Sequence, residues 1–95
     1  MSISSAIQNR QLLSLSYDGY PRVVEPHCYG TDTKGHLALR AYQVRGGSES
    51  GEYVGWKLFH VKDILQLVTL PDRFAAPRTG YKKNDKAFTS IQTQL

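Results

Sequence analysis

The residues with the richest chemistry in this chain are its three histidines and single cysteine, His27, Cys28, His36 and His60. Thiolate and imidazole are zinc ligands, but these positions reproduce none of the usual paired spacings, so no metal site is expected. His27 beside Cys28 has the makings of a nucleophile and its base. Neighbours in a strand point to opposite faces, however, and cannot hydrogen-bond through their side chains, so Cys28 reads as a small buried residue. Glu49 and Glu52 lie in a glycine-rich stretch that would not hold two carboxylates in acid–base geometry. No glycine-rich phosphate loop leads into a helix. The expectation is a protein with no catalytic residue, no cofactor and no enzymatic activity.

Cations interleaved with flat rings suggest binding instead. Arg22, Arg40, Lys57 and Lys62 offer charge for phosphates, while Tyr17, Tyr42 and Trp56 offer faces on which bases stack, the combination that single-stranded nucleic acids require. The competing reading is an ordinary polar exterior with Tyr17 and Trp56 partly in the core. A second basic element lies further on, where Arg78, Lys82, Lys83 and Lys86 surround Tyr81 and could follow a phosphate backbone. A solvated tail would look the same in sequence.

The net charge of +4 belongs to that second element. Up to Asp72 seven basic residues meet seven acidic ones, and after it five basic residues face Asp85 alone. Residues 1–72 therefore read as one domain and 73–95 as a basic C-terminal extension. Within the extension, Phe88, Ile91 and Leu95 fall at i, i+3, i+7, one face of a short helix or of a turn of one. That face is expected to dock on its own chain or on a second copy.

The elements that must position these groups are short. Ser2 or Ser4 can cap a helix running to about Arg10, with Ile3 and Ile7 as its apolar stripe. Leu13, Leu15 and Tyr17 alternate with Ser14 and Ser16 as a half-buried strand, and Asp18-Gly19 ends it as a hairpin turn. Arg22 to Glu25 continues extended, and Pro26, lacking an N–H, calls for an edge, a bulge or a strand end. After a turn over Thr31 to Gly35, Leu37, Leu39 and Ala41 face one way. Ala38, Arg40 and Tyr42 face the other, so Arg40 and Tyr42 stand side by side. Gly46 to Gly51 is a flexible loop, Tyr53 to Phe59 a strand, and Ile64 to Leu70 a last strand closed by Pro71-Asp72.

One helix and five antiparallel strands in 95 residues suit a mostly β fold, a small closed barrel without exposed edges. A hydrophobic fraction of 40% is enough to build its core. No run approaches the roughly 18 apolar residues of a membrane span, and the start lacks the apolar stretch of a signal peptide. With one cysteine, nothing asks for an oxidising compartment, and a cytoplasmic location is expected.

The order of Ala6-Ile7, Leu15, Tyr17, Arg22-Val23-Val24-Glu25-Pro26, Gly35, Leu39-Arg40-Ala41-Tyr42 and Phe59-His60-Val61 with Ile64 resembles the WYL domain family of bacteria. The likeness runs from about Ile3 to Leu70. The triplet that names the family falls at Leu37-Ala38-Leu39, of which only the last leucine is kept, and Asp63 stands where the family has arginine. The resemblance implies a five-stranded Sm-like, or SH3-like, barrel behind a helix. It also implies a ligand sensor for nucleotides or nucleic-acid fragments, in relatives often joined to a DNA-binding helix-turn-helix in transcription regulation. The chain looks more like short stand-alone members, with Phe74 to Leu95 following the barrel. The partners expected are thus a nucleotide or single-stranded nucleic acid, with no membrane. The alternative is a protein-protein interaction module that pairs with itself or with another protein.

Overall fold

The computed structural model describes residues 3–95. Ser2 as a helix cap lies outside them. Helix α1 (Ile3–Asn9) buries Ile3, Ala6 and Ile7 as one stripe, and Arg10, with φ of 53°, turns the chain into the sheet. Six strands follow: β1 (Gln11–Tyr17), β2 (Tyr20–Asp32), β3 (Leu37–Gly46), β4 (Gly55–His60), β5 (Leu65–Arg73) and β6 (Phe88–Gln94). A single 3₁₀ turn, Val61–Asp63, joins β4 to β5. All pairings are antiparallel, in the order β4-β3-β2-β1-β5, with β6 also on β2. Among the described residues no helix is long and apolar enough to cross a membrane.

The β1–β2 hairpin closes through Asp18 and Gly19, whose φ values of 52° and 81° are both left-handed. That is the two-residue turn whose twist matches the strands it joins. Strand β2 then organises the sheet. Residues 20–24 pair with β1 and residues 28–32 with β6, while β3 runs along the other edge. The exchange of partners takes place at Pro26, where the register with β3 also slips between Pro26↔Ala41 and Cys28↔Arg40. A residue without an N–H cannot donate to a ladder, so the ladder breaks there at least cost. Strand β5 carries Pro71 within it, which an edge strand paired only to β1 tolerates.

Both faces of the sheet are covered. On one, Leu13, Leu15, Val24, Leu39, Ala41 and Phe59 pack against the helix stripe. On the other, the segment after β5 folds back across β2, β3 and β4, and Cys28 and Ala38 pack against Phe88 and Ile91. The extension therefore docks on its own chain, but as a strand rather than a helix. Phe88–Gln94 is rich in threonine and includes a β-branched isoleucine, and the free edge of β2 offers it ladder hydrogen bonds that an isolated two-turn helix lacks. Register slips on either side of Gly30↔Ile91 and Thr31↔Ser90 let Phe88 and Ile91 reach the same cluster despite their odd spacing.

Three further expectations are corrected. The sheet has six strands instead of five, and its pairing order is open, with β4 and β5 at its ends. Tyr53 and Val54 lie exposed in the loop before β4, which begins at Gly55. Strand β5 ends at Arg73, one residue past the change in charge after Asp72.

Gly30 is where β6 comes closest: a Cβ there would stand 2.1 Å from the Ser90 carbonyl oxygen and 2.9 Å from the Ile91 Cα. Gly30→Ala is expected to push β6 off its partner at a cost of roughly 1–3 kcal/mol. For a domain this small that lowers Tm by about 4–8 °C per kcal/mol. Amide exchange across β6 should quicken with it; an unchanged Tm with protected β6 amides would refute the pairing.

Candidate functional site

The docked segment is held at the bulge in β2. His27 is fully buried, with its ring 4.7 Å from that of Trp56, 5.5 Å from Phe74 and 5.1 Å from Tyr81. The Arg78 backbone N–H donates to His27 Nε2 at 3.1 Å, and His27 Nδ1 lies 2.8 Å from the Glu25 carbonyl oxygen. A backbone N–H can only donate and a carbonyl can only accept. The ring is therefore neutral and carries its proton on Nδ1. Burial lowers the His27 pKa, and this outweighs the Glu25 carbonyl bond and the Glu25 charge, which raise it.

Adjacent groups complete the attachment. Glu25, 5% exposed, takes a two-pronged ion pair from Arg78, at 2.8 and 3.1 Å. The Arg78 guanidinium sits 4.7 Å from the centre of the Tyr42 ring, a cation–π contact. Asp85 accepts from Arg40 Nε at 2.8 Å. Desolvation raises the Asp85 pKa, but the Arg40 bond and the Ala87 N–H lower it further, so the carboxylate titrates below its ordinary value. The Trp56 Nε1–H donates to the Thr79 carbonyl oxygen at 3.3 Å, and Tyr42 meets Trp56 edge to face.

Between the docked segment and strands β3 and β4 an open cavity of about 510 Å³ remains, lined by Arg40, Trp56, Tyr81, Asp85 and the run Lys82, Lys83 and Lys86. Arg40 and Asp85 neutralise one another. The three exposed lysines are left as a charge of three on one rim, with Trp56 and Tyr81 stacked 6.1 Å apart on the wall. Such a site attracts anions and offers aromatic surface beside them.

The structure thus gathers Arg40, Tyr42 and Trp56 from the sheet with Arg78, Lys82, Lys83 and Lys86 from the extension. Four other sequence candidates lie elsewhere. Tyr17 packs edge to face on Phe59 at 4.8 Å, and its hydroxyl accepts from the His60 N–H, so it belongs to the core. Arg22 is 4% exposed and lies over the Tyr17 and Phe59 rings. It bonds to the Gln43 side chain and the Tyr17 carbonyl, because the alternation that buries Val24 buries it too. Lys57, out of phase with Trp56, ties down the loop through Ser48 Oγ and the Glu52 carbonyl. Lys62 stands exposed on the 3₁₀ turn, outside the cavity.

The opposite-face argument for His27 and Cys28 fails at the bulge. His27 is the extra residue between Pro26 and Cys28, so both side chains turn toward the docked segment. Burial pushes the Cys28 thiol up to about 11, against nucleophilic use. Sequence patterning alone does not assign Glu25, His27, Tyr81 or Asp85 to a site. The one available signal was Tyr81 and Asp85 inside an otherwise basic stretch. No family model, curated protein or solved structure matches the chain.

The neutral His27 ring yields a pH dependence. Its pKa in the fold lies below the ordinary 6.5, so its contribution is complete above that value and is lost as pH falls through the folded value. Tm should be level between pH 8 and 6.5 and fall below 6.5, where the protection factor of the Arg78 amide should fall with it. In His27→Phe, Tm should start lower and the fall should flatten. A level Tm down to pH 5 with an unchanged Arg78 protection factor would exclude this role.

Proposed function

We propose that this chain is a binding module for nucleotides or single-stranded nucleic acid, without catalysis of its own, and that the cavity beside Trp56 is its site. The observation that carries the reading is the meeting of Lys82, Lys83 and Lys86 with Trp56 and Tyr81 around about 510 Å³. That volume falls within the range of small-ligand sites and suits one nucleotide or one base with its phosphates. The inert Cys28 thiol supports a non-catalytic role.

The resemblance to WYL domains favours the same ligand class and a part in ligand-dependent transcription regulation. In this reading β1 to β5 form an Sm-like barrel that is curled but left open between β4 and β5. Support comes from the return of β5 to β1 and from the bend of β2 at Pro26. Nearly equal extents of 28, 28 and 27 Å also favour a strongly curled sheet. The lysine rim belongs to the extension, which we read as part of the binding module.

A second reading, an interface for another protein or a second copy, rests on the edge strand β5, where Leu65 and Val68 are 63% and 53% exposed. Salt separates the two. Trp56 is the chain's only tryptophan, so its fluorescence reports on the cavity. Titration with a nucleoside triphosphate and with oligothymidine should quench it. Affinity for the strand should drop on the order of tenfold between 50 and 200 mM salt if three lysines contact phosphates. Lys82→Ala combined with Lys83→Ala and Lys86→Ala should remove most of that dependence. No quenching by either probe, or binding indifferent to salt, would turn the assignment toward the protein interface.

A further inference from the structure

A different cluster stands where β2, the following turn and β4 converge. Asp32 ends β2, His36 lies four residues on, and His60 ends β4, beside Ala38 in the ladder. His36 Nδ1 is 3.7 Å and His60 Nε2 3.8 Å from the same oxygen, Asp32 Oδ2, and the three ligand atoms lie within 4.8 Å of one another. None of the three residues lines the lysine-rimmed cavity.

The arrangement is built, not incidental. Asp32 is 7% exposed, and its Oδ1 accepts the N–H groups of Lys34 and His36, both at 2.9 Å. Those two bonds fix the plane of the carboxylate and aim Oδ2 at both imidazoles. The separations of 3.7 and 3.8 Å are too long for hydrogen bonds. His36 Nδ1 is buried as an atom and has no hydrogen-bond partner. A ring nitrogen shut away from water without a partner is a cost in either tautomer, unless something else occupies the space between the three atoms.

We propose that Asp32, His36 and His60 bind one divalent cation of the zinc class through Oδ2, Nδ1 and Nε2. Zinc held at about 2.0–2.2 Å by nitrogen and oxygen ligands separates them by about 3.3 Å, so the two imidazole–carboxylate distances contract by roughly half an ångström, while the imidazole nitrogens, within 4.8 Å of one another, close by up to about 1.5 Å through rotation of the partly exposed rings. Two imidazoles and one carboxylate suit zinc, cobalt or nickel over magnesium or calcium, which prefer oxygen ligands. The imidazole side chains are 43% and 39% exposed, so the outer side of the ion stays open to a water or a ligand atom. A site with three protein ligands and one free position results.

Chain spacing conceals this trio. Asp32 and His36 belong to one turn, but His60 arrives only through the pairing of β4 with β3. The ion would also clamp the end of β2 where β6 begins, because Asp32 pairs with Phe88.

The test uses the full chain without an affinity tag, titrated with Co²⁺ and then displaced by Zn²⁺. The expected result is one cobalt per chain with a visible d–d band abolished by zinc, and a Tm raised by zinc. His36→Ala and His60→Ala, both at partly exposed positions, should each weaken binding at least tenfold while circular dichroism keeps the β spectrum. On adding zinc, the ring signals of His36 and His60 should move and those of buried His27 should stay. Absence of saturable binding below millimolar metal would overturn the assignment. So would equal affinity in the double variant His36→Ala, His60→Ala, or a zinc response confined to His27.

Discussion

The docking of the C-terminal segment depends on a single buried acceptor, the unprotonated Nε2 of His27. It takes the Arg78 N–H, while the opposite nitrogen is committed to the Glu25 carbonyl. A buried N–H without a partner costs about 1–3 kcal/mol, so the segment can cross the sheet at this height only where an acceptor rises out of β2 to meet it. The acceptor rises there because Pro26 breaks the ladder and leaves His27 as a bulged residue. One missing backbone donor thereby places the imidazole, and the imidazole places the chain that passes over Trp56. The His27 carbonyl in turn accepts the Leu95 N–H at 3.0 Å, so the same residue holds the segment near both of its ends.

Charge within this arrangement is divided between attachment and recognition. Arg78 is spent on buried Glu25 and Arg40 on Asp85. Exposed ion pairs are worth little, a median of about 0–1 kcal/mol, but Glu25 is almost wholly desolvated, and stripping its partner would leave a buried carboxylate. Lys82, Lys83 and Lys86 have no such duty. They stand on the rim because Tyr81 and Phe88, on either side of them in the chain, are anchored in the sheet's second apolar cluster.

Arg22 shows the opposite outcome for a cation. It sits among Tyr17, Tyr20 and Phe59 with a glutamine and a carbonyl as partners, no ion pair to a carboxylate among the described residues, and its Nε buried without an acceptor. A planar guanidinium is weakly hydrated and stacks on ring faces, so it withstands this environment better than an ammonium would. Its position seals the end of the core beside Phe59, which makes it structural.

What could be read from the residues alone was local. The Asp18-Gly19 turn, the alternation from Leu13 to Tyr17, the break at Pro26 and the shared face of Arg40 and Tyr42 follow from backbone sterics and the two-residue period of a strand. The concentration of positive charge after Asp72 is likewise a property of composition. Tertiary structure decided the rest. Phe88, Ile91 and Leu95 satisfy a helical spacing, yet the open edge of β2 supplied a ladder that made Phe88 and Ile91 part of a strand and left Leu95 just beyond its end. His27 and Cys28 point the same way because a bulge overrode alternation. Arg22 is buried and Lys82 exposed although both are cations among aromatics. In each case the deciding partner lies far along the chain, and sequence spacing carries no information about a contact that exists only once the sheet has brought its two sides together.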